Sequence, residues 1–286
     1  MPDLRKLAAL MAAPPVIAAA SLFSCSNNKP PADAKEFKVD FIDVGKADAM
    51  VLQSETGTVV IDCGEKGDGK KIAAILDESD RTSIDYLIIT HFDKDHVGGA
   101  AKVLNNFEVK NVLTPDYDGT TDEYDKFCKV LEENGVSRTR LTSDMTFTLD
   151  DVKYTVYAPK KSSYGDGDSD ENDFSLVTKA VHHKNTLLFT GDAMEERLDE
   201  IMDIGKCTLL KIPYHGRNLD NLGDFLKANS PKCAVVCTDS STYSGKVQDM
   251  LSDMKIPTYS TCFNGNITAV SNGASIEFTT EKGGAA

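Results

Sequence analysis

Several common signatures are missing from this chain of 286 residues. No Cys-x-x-Cys pair is present, so the cysteines lack the spacing of a structural zinc finger or ribbon, and we expect mostly buried free thiols. There is no Gly-x-Ser-x-Gly motif, and the glycines at positions 64, 67 and 69 lack the spacing of a dinucleotide-binding loop. The sequence therefore supports neither a serine nucleophile nor a nucleotide held by a glycine-rich loop.

Positive charge is also scarce. Lysine and arginine together number 31, against 45 aspartate and glutamate residues, and the formal net charge is −14 at pH 7. Because non-specific binding of nucleic acid relies on cations that neutralise phosphates, this composition excludes a general DNA-coating role. A site that holds metal ions could still act on a phosphodiester, since bound metal ions are the largest local charges.

Long apolar runs are absent after the N-terminus. There, Arg5 and Lys6 precede an apolar run from Leu7 to Phe23. The run is short and rich in alanine, which is typical of a signal peptide and not of a membrane span, so we predict a signal peptide over residues 1–24. We expect no transmembrane segment in the mature chain.

The pair Ser24-Cys25 at the end of this run resembles a bacterial lipoprotein signal, in which the cysteine becomes lipidated after cleavage. We therefore expect an exported protein that is anchored to a membrane by a lipid on Cys25, with residues 25–36 as a tether. Phe23 is bulkier than such signals usually carry. Cleavage without lipidation, which would give a secreted soluble protein, is the alternative.

From Phe37 onwards, short apolar strands alternate with helical stretches, without a fixed repeat or a clear linker between domains. Examples are strands over residues 37–42 and 84–90 and a helix over residues 122–134. Such alternation predicts mixed sheets covered by helices. With 41% hydrophobic residues the chain can bury a full core, so we expect one domain over residues 37–286.

The strongest chemical signal is the segment His91-Phe92-Asp93-Lys94-Asp95-His96, which directly follows a predicted strand. Positions 91, 93 and 95 face the same way in extended backbone, and the start of the next helix turns His96 aside. Four imidazole and carboxylate groups this close would repel each other or stay unpaired without a cation. The segment therefore predicts a site for two adjacent metal ions; a polar turn that caps the next helix is the alternative.

Five further segments accompany this motif in a recognisable order. Together the six resemble the metallo-β-lactamase superfamily, and within it the hydrolase domain of the ComEC-like competence (DNA-uptake) proteins and their free-standing secreted relatives. The superfamily's usual motif is His-x-His-x-Asp-His, and this branch replaces the second histidine by aspartate, as Asp93 does here. The resemblance runs from Phe37 to Phe278. The five further segments are residues 43–49, 59–64, 172–175, 187–192 and 211–216.

This resemblance implies an αββα sandwich, in which two mixed β-sheets pack face to face with helices on both outer faces and the site lies at one sheet edge. It also implies two divalent metal ions. The carboxylate-rich ligand set is harder than a set of three imidazoles, so both Zn²⁺ and Mn²⁺ are expected candidates. The implied ligands are His91 and Asp93 for the first ion, Asp95, His96 and His215 for the second, and Asp192 as a bridge between them.

Asp95, Asp192 and His215 are the expected catalytic residues, because they would hold the ions that activate water. The first ion lacks a third imidazole, and Asn172 is the nearest family-matched candidate to complete or orient it; Ser175 lies in the same segment. The branch often carries two histidines where Tyr214-His215 stands, and we take His215 as the ligand because it is the imidazole available there.

Other polar residues near the motifs have less defined roles. Lys211, Tyr214 and Arg217 flank His215 and could orient the site or contact a phosphate, although ordinary surface positions explain them equally well. His182 and His183 belong to no motif and sit at a Lys-Asn turn, so we predict a surface hairpin there.

The expected activity is metal-dependent hydrolysis of a phosphodiester, with the resembled branch implying a nuclease acting on nucleic acid. The acidic composition argues against long tracts of bound DNA. A small phosphodiester, such as a choline-phosphate ester on a cell-wall polymer or a nucleotide, is therefore an alternative substrate. A surface binding module that has lost catalysis is the alternative from a different class of protein.

Overall fold

The structure is a computed structural model that describes residues 29–165 and 171–283. The predicted signal peptide over residues 1–24, the lipidation site at Cys25 and the first part of the tether lie outside the described residues. Within the described ranges, no helix has both the length and the apolar character needed to cross a bilayer.

Seventeen strands form within these ranges, most of them three to six residues long. In chain order the strands are β1 (Phe37–Phe41), β2 (Ala49–Gln53), β3 (Thr58–Cys63), β4 (Ser83–Ile84), β5 (Tyr86–Ile88), β6 (Glu108–Val109), β7 (Val112–Pro115), β8 (Arg138–Leu141), β9 (Met145–Leu149), β10 (Val152–Tyr157), β11 (Val177–His182), β12 (Asn185–Phe189), β13 (Leu209–Lys211), β14 (Cys233–Val236), β15 (Thr258–Ser260), β16 (Ile267–Ser271) and β17 (Ile276–Thr280).

The strands form two large mixed sheets. The first has the order β17-β16-β1-β2-β3-β5-β7-β8, and the second has the order β15-β14-β13-β12-β11-β10-β9, while β4 and β6 pair separately. Strands β3, β5, β7 and β8 run parallel in the first sheet, and β12 to β15 run parallel in the second. The other neighbours within these two sheets are antiparallel, and β4 and β6 run parallel to each other.

Helix α4 shows how the sequence determines a local element. Its N-cap residue Thr121 accepts a hydrogen bond from the backbone N–H of Tyr124 at 3.2 Å, and acidic residues occupy its first turn, where the helix dipole favours them. The helices are α1 (Gly69–Glu78), α2 (Lys94–Val97), α3 (Ala100–Asn106), α4 (Asp122–Glu133), α5 (Glu195–Glu200), α6 (Leu222–Asn229), α7 (Gly245–Asp253) and α8 (Thr261–Asn264), with single 3₁₀ turns at Glu171–Phe174 and Tyr214–Gly216.

Three hydrophobic layers hold the elements together. The central layer lies between the two sheets, where the rings of Phe41 and Phe189 pack with centroids 6.1 Å apart. A second layer joins the first sheet to α1, α3 and α4, and a third joins the second sheet to α5, α6 and α7. The predicted αββα sandwich is therefore confirmed. The six described cysteines carry free thiols, four of them buried, as expected.

Candidate metal centre

The predicted metal segment lies where the carboxyl ends of parallel strands from both sheets meet. In the first sheet, β5 leads through Thr90 to His91, and α2 begins three residues later. In the second sheet, Asp192 follows β12 and His215 follows β13. The backbone N–H of Leu176 donates to the carbonyl oxygen of Thr90 at 2.9 Å and joins the two halves at this edge. Side chains distant in sequence thereby converge.

Asp62, at the end of β3, orients both Thr90 and His96. Its Oδ2 lies 2.8 Å from His96 Nδ1 and accepts a hydrogen bond from Thr90 Oγ1 at 2.7 Å, while Oδ1 accepts from the Thr90 backbone N–H at 2.8 Å. Asp62 adopts a left-handed backbone conformation with φ 56°, which is costly for a residue other than glycine. Its contact with Nδ1 leaves Nε2 of His96 to face the centre, as carboxylates behind metal-binding histidines do.

His91 stands beside His96, with ring centroids 4.0 Å apart, and both rings are fully buried. His91 Nδ1 lies 3.1 Å from Thr90 Oγ1. Asp93 Oδ2 lies 3.7 Å from His91 Nε2, and the Asp93 side chain is 40% exposed. Asp93 therefore lies at the rim of the cluster, whereas the two histidines lie inside it.

Asp192 lies between His96 and His215. Its Oδ2 is 2.9 Å from His215 Nε2 and 3.4 Å from His96 Nε2. The backbone N–H of Asp192 donates to Ser175 Oγ at 3.1 Å, so Ser175 orients the strand end that carries the carboxylate. Asp95, on α2, brings its Oδ2 to 3.5 Å from His215 Nε2. The structure thus places Asp192 at the centre of the sequence-predicted ligands.

The turn that carries His215 has a strained backbone. Tyr214, His215 and Gly216 all have left-handed conformations, with φ angles of 48°, 51° and 73°. A Cβ at Gly216 would lie 2.8 Å from the Tyr243 ring and 2.8 Å from the Val236 side chain, so only glycine fits there. Strain of this kind persists where the surrounding structure enforces it, and it is concentrated at functional sites.

Below this turn, a buried ion pair supports the site. His215 Nδ1 lies 2.9 Å from the carbonyl oxygen of Cys237 and 3.6 Å from Asp48 Oδ1. The fully buried Lys211 pairs with Asp48 and donates to the carbonyl oxygen of Gly191 at 2.9 Å. Lys211 is therefore placed to orient the strand ends. A direct contact with a phosphate, one of the two roles expected for Lys211, is ruled out by its burial.

The residues present fit a metal ion. His91 Nε2 and Asp192 Oδ1 are buried and have no hydrogen-bond partner among the described residues. The Nε2 atoms of His96 and His215 and Asp95 Oδ2 are also buried, and their close contacts are with other charged groups of the cluster and with Lys46. Burying this many ionisable atoms together is costly, and a cation would give them a shared partner. Within the described residues His96 belongs to three groups of potential ligands: one with His91 and Asp192, one with Asp95 and His215, and one with Asp48 and Asp62. In each group the ligand atoms lie within 4.8 Å of one another.

The electrostatics of the cluster also favour added positive charge. Burial lowers the pKa of His215, but the carboxylates of Asp192 and Asp95 raise it to about 9. Burial likewise lowers the pKa of His96, but Asp192 and Asp62 raise it well above its usual value. Burial raises the pKa of Asp192, whereas His215 and His96 together hold it well below its usual range. Metal ions would compete with protons for these imidazoles.

The sequence profile of the metallo-β-lactamase superfamily matches residues 42–184, half of the chain. This protein belongs to that superfamily. Membership of this superfamily makes it a metal-dependent hydrolase. The superfamily binds divalent metal ions, and the buried ligand cluster is the place in this chain where such ions fit.

Two curated relatives cover most of this metallo-β-lactamase chain. It is similar to ComE operon protein 3 of Bacillus subtilis (strain 168), with 26% identity over 227 residues, and to Recombination protein 2 of Haemophilus influenzae, with 25% identity over 206 residues. The matches cover 72% and 70% of this chain but 29% and 24% of those proteins, so the chain spans less than a third of either. The resemblance to ComEC-like proteins is confirmed.

Solved structures support the fold. The metallo-β-lactamase fold protein YhfI from Bacillus subtilis matches with a TM-score of 0.55 and 13% identity, over 79% of this chain and 96% of that one. A protein from Parabacteroides distasonis described as a metal-dependent hydrolase matches with a TM-score of 0.55 and 15% identity, over 84% and 98% of the two chains. At these identities the likeness establishes the metallo-β-lactamase fold alone.

Two cationic side chains lie at the mouth of the metallo-β-lactamase site. Lys46 Nζ lies 2.8 Å from Asp95 Oδ2, and its side chain is 35% exposed. The exposed Arg217 places its guanidinium 5.3 Å from the centre of the Tyr214 ring. Burial lowers the pKa of Lys46, but the nearby Asp95 raises it above its usual value, and Arg217 is close enough to oppose that rise. Both cations are therefore near the ligand cluster.

The remaining candidate, Asn172, is buried on the 3₁₀ turn Glu171–Phe174. Its Nδ2 donates to the Met194 sulfur at 3.5 Å. The turn also supplies the carbonyl oxygen that accepts from the backbone N–H of Ser175 at 2.9 Å. Asn172 thus lies beside the segment that orients Asp192, and its role as a ligand stays a prediction.

Sequence reasoning assigned no role to Asp48, Asp62 or Lys46. A signal for the first two was present, since each is a carboxylate beside an apolar strand within a segment that carries the family resemblance. Lys46 lies in the first of these segments, residues 43–49, where its positive charge stands between two aspartates, Asp43 and Asp48. What sequence spacing could not show is that all three side chains point towards a cluster built from other segments.

The hairpin predicted at His182 and His183 is present, between β11 and β12. Its expected surface position is wrong for His182, which is fully buried. The His182 ring packs against Phe37 with centroids 5.7 Å apart, because the first sheet covers this end of β11.

Proposed function

We propose that this protein hydrolyses phosphodiester bonds and that its substrate class is nucleic acid. The observation that carries the proposal is a buried cluster of imidazoles and carboxylates with two partly or fully exposed cations, Lys46 and Arg217, beside it. The names of the relatives, one of them a recombination protein, support a substrate of this class. The superfamily supplies the hydrolytic chemistry.

Each side chain of the cluster has a proposed role. Bound divalent ions, Zn²⁺ or Mn²⁺, would supply the Lewis acidity that polarises a phosphoryl oxygen and acidifies a water molecule. Asp62 holds Nδ1 of His96 and so directs Nε2 inwards, and the carbonyl oxygen of Cys237 does the same for His215. The proposed ligands are His91, Asp93, Asp95, His96, Asp192 and His215.

Lys46 and Arg217 are proposed to bind the anionic substrate. A lysine ammonium is a compact charge on a flexible stem, and an arginine guanidinium can contact two phosphate oxygens at once. Both lie at the open side of the cluster, whereas Lys211 is sealed beneath it. We therefore expect Lys46 and Arg217 to be the residues that select an anionic substrate.

The net charge of −14 limits how much of a nucleic acid the protein can hold. We expect the contact to cover few phosphates beyond the one that is cleaved. A small phosphodiester that presents the same group is therefore a competing substrate, and the comparison of DNA with small diesters decides between them.

We also propose that the protein is exported and anchored through Cys25, on the pattern of residues 1–24 followed by Ser26 and a short polar tether. Expression of the full chain with radiolabelled palmitate tests this. A Cys25→Ser variant should lose both the label and the membrane association, and an unlabelled wild-type protein would refute the anchor.

The test of the activity combines metal content with turnover. The purified protein is loaded with Mn²⁺ or Zn²⁺, its metal is counted, and hydrolysis of bis-p-nitrophenyl phosphate is measured. We expect close to two ions in the cluster and turnover that falls at least about 1,000-fold in Asp192→Asn, because the central ligand is lost. Lys46→Gln should raise KM roughly tenfold with little change in kcat, as loss of a binding contact does.

The matched control is Asp253→Asn, which changes an exposed aspartate on α7, outside the ligand cluster. It should retain wild-type metal content and turnover. A metal-loaded wild-type protein that hydrolyses no diester would reject the phosphodiesterase proposal and would move the binding-module alternative to first place. Turnover of small diesters with none of DNA would reassign the substrate.

A further inference from the structure

A second group of potential metal ligands lies at the other end of the second sheet. The candidate metal centre uses Asp192, which follows the carboxyl end of β12. The second group lies before the amino end of β12, where His182 closes β11 and His183 follows it, while Asp151 comes from the turn between β9 and β10. Strand β12 separates the two groups, so neither contributes a residue to the other.

The three side chains of this group converge on one point. Asp151 Oδ2 lies 3.2 Å from His182 Nε2 and 2.9 Å from His183 Nε2, and all three ligand atoms lie within 4.8 Å of one another. Ligands at about 2.0–2.1 Å from a tetrahedral zinc ion lie roughly 3.3 Å from each other. Two of the separations in this group are already close to that value.

A supporting shell holds His182 in place. Its Nδ1 lies 2.8 Å from Ser271 Oγ, which also accepts a hydrogen bond from Asn185 Nδ2 at 2.7 Å. The ring is fully buried and packs against Phe37 of the first sheet. A histidine whose second ring nitrogen is held this way has its Nε2 directed, which is the usual arrangement behind a metal ligand.

His183 is held by the backbone instead. It has a left-handed conformation with φ 53°, and it packs so closely on Gly273 that a Cβ there would lie 2.9 Å from His183 Cδ2. Its side chain is 27% exposed and that of Asp151 is 25% exposed. The group is therefore rigid on its buried side and open to water on the other.

We propose that Asp151, His182 and His183 form a further metal site, which takes one divalent ion of the zinc class with water as the fourth ligand. Two imidazoles and one carboxylate are a donor set that suits zinc, and three protein ligands leave one position open. The ion would tie the β9–β10 turn to the β11–β12 turn, and through Ser271 to the first sheet. Its role is to stabilise the sandwich at the end where the described chain begins.

Zinc binding and thermal stability test the site. His183→Gln removes one ligand from a partly exposed position, and Lys184→Gln changes the neighbouring turn residue as a matched control. We expect His183→Gln to bind one zinc equivalent fewer than Lys184→Gln. At a free zinc concentration of about 100 times Kd, the site should add roughly 5–10 °C to Tm in the control, and His183→Gln should lose this increment.

Asp151→Asn provides a second route if His183→Gln folds poorly, since it keeps the shape of the side chain and weakens the ligand. Diester turnover at saturating metal should stay within about twofold of wild type in both variants, which separates this site from the candidate metal centre. Equal zinc content and an equal rise of Tm in His183→Gln and Lys184→Gln would overturn the proposal, because Asp151 would then serve only as a hydrogen-bond acceptor for the two histidines.

Discussion

The two histidine clusters of this protein differ in how many carboxylates surround each imidazole. In the candidate metal centre, Asp192 and Asp95 flank His215, and they raise its pKa to about 9 although burial acts in the opposite direction. The second cluster, which we call the hairpin cluster, consists of Asp151, His182 and His183. There, burial lowers the pKa of His182, and the single carboxylate of Asp151 does not reverse that shift. The first cluster is therefore built for more positive charge than the second.

The clusters also differ in what holds them. Residues from α2 and from the ends of β3, β12 and β13 meet in the metal centre, and two of its residues, Asp62 and His215, adopt left-handed backbone conformations. The hairpin cluster uses two turns of one sheet and a serine from the other. A site assembled from strand ends of both sheets depends on the whole sandwich, whereas a site on adjacent turns depends mainly on local structure.

Among substitutions outside the proposed ligand set, the largest effect should come from the strained turn of the metal centre. Gly216→Ala places a Cβ 2.8 Å from Tyr243 and Val236 at a positive φ, so the turn that carries His215 must shift. We expect turnover to fall roughly 100-fold, because small misplacements of a reacting group have effects of this size, and stability to fall by about 1–3 kcal/mol. Kinetics and urea unfolding measure both.

The control for that substitution is Gly245→Ala. Gly245 opens α7, and a Cβ there meets no atom within 4 Å. It should leave turnover and stability close to wild type, and zinc binding at the hairpin cluster should survive in both variants. Full activity in Gly216→Ala would show that the strained turn is not needed to place His215.

A smaller effect should follow from Asp62→Asn. The amide keeps one oxygen for the backbone N–H of Thr90 but loses the charge that faces His96 Nδ1. We expect metal affinity to fall about 10–100-fold, as it does when a carboxylate behind a ligating histidine is removed. Competition with a chelator measures it, with the exposed Asp77→Asn as control. Unchanged affinity would leave Asp62 a purely structural role.

The last prediction changes no residue and concerns the stability of metal-stripped protein. The pKa of His215 is about 9 when folded, against about 6.5 unfolded, so its contribution is fully present below pH 6.5 and is lost as pH rises through 9. Tm should fall by roughly 5–10 °C between pH 6 and 9.5. Metal-loaded protein should show no such fall, because the ions bind the neutral imidazole. A flat profile for stripped protein would contradict the raised pKa.

Much of the fold could be predicted from the sequence, since the strands that pack on both faces are continuous apolar runs. Strands β8 and β9 were not predicted. They lie at the outer edges of the two sheets, and their sequences, RTRL and MTFTL, are short, polar and only partly buried. At an edge, pairing with one neighbour decides whether a strand forms, and that neighbour is not visible in the local pattern.

The local sequence is enough to predict a ligand group in the segment from His91 to His96, because ligands this close are brought together by local backbone geometry. The order of the family motifs pointed to Asp192 and His215 as well. Which polar residues are buried depends on the tertiary structure: Lys211 lies beneath the site, Asp48 and Asp62 lie behind its histidines, and His182 meets Asp151 from the neighbouring turn of the same sheet. Burial and charge environment depend on which segments cover a residue, and those segments are distant in sequence.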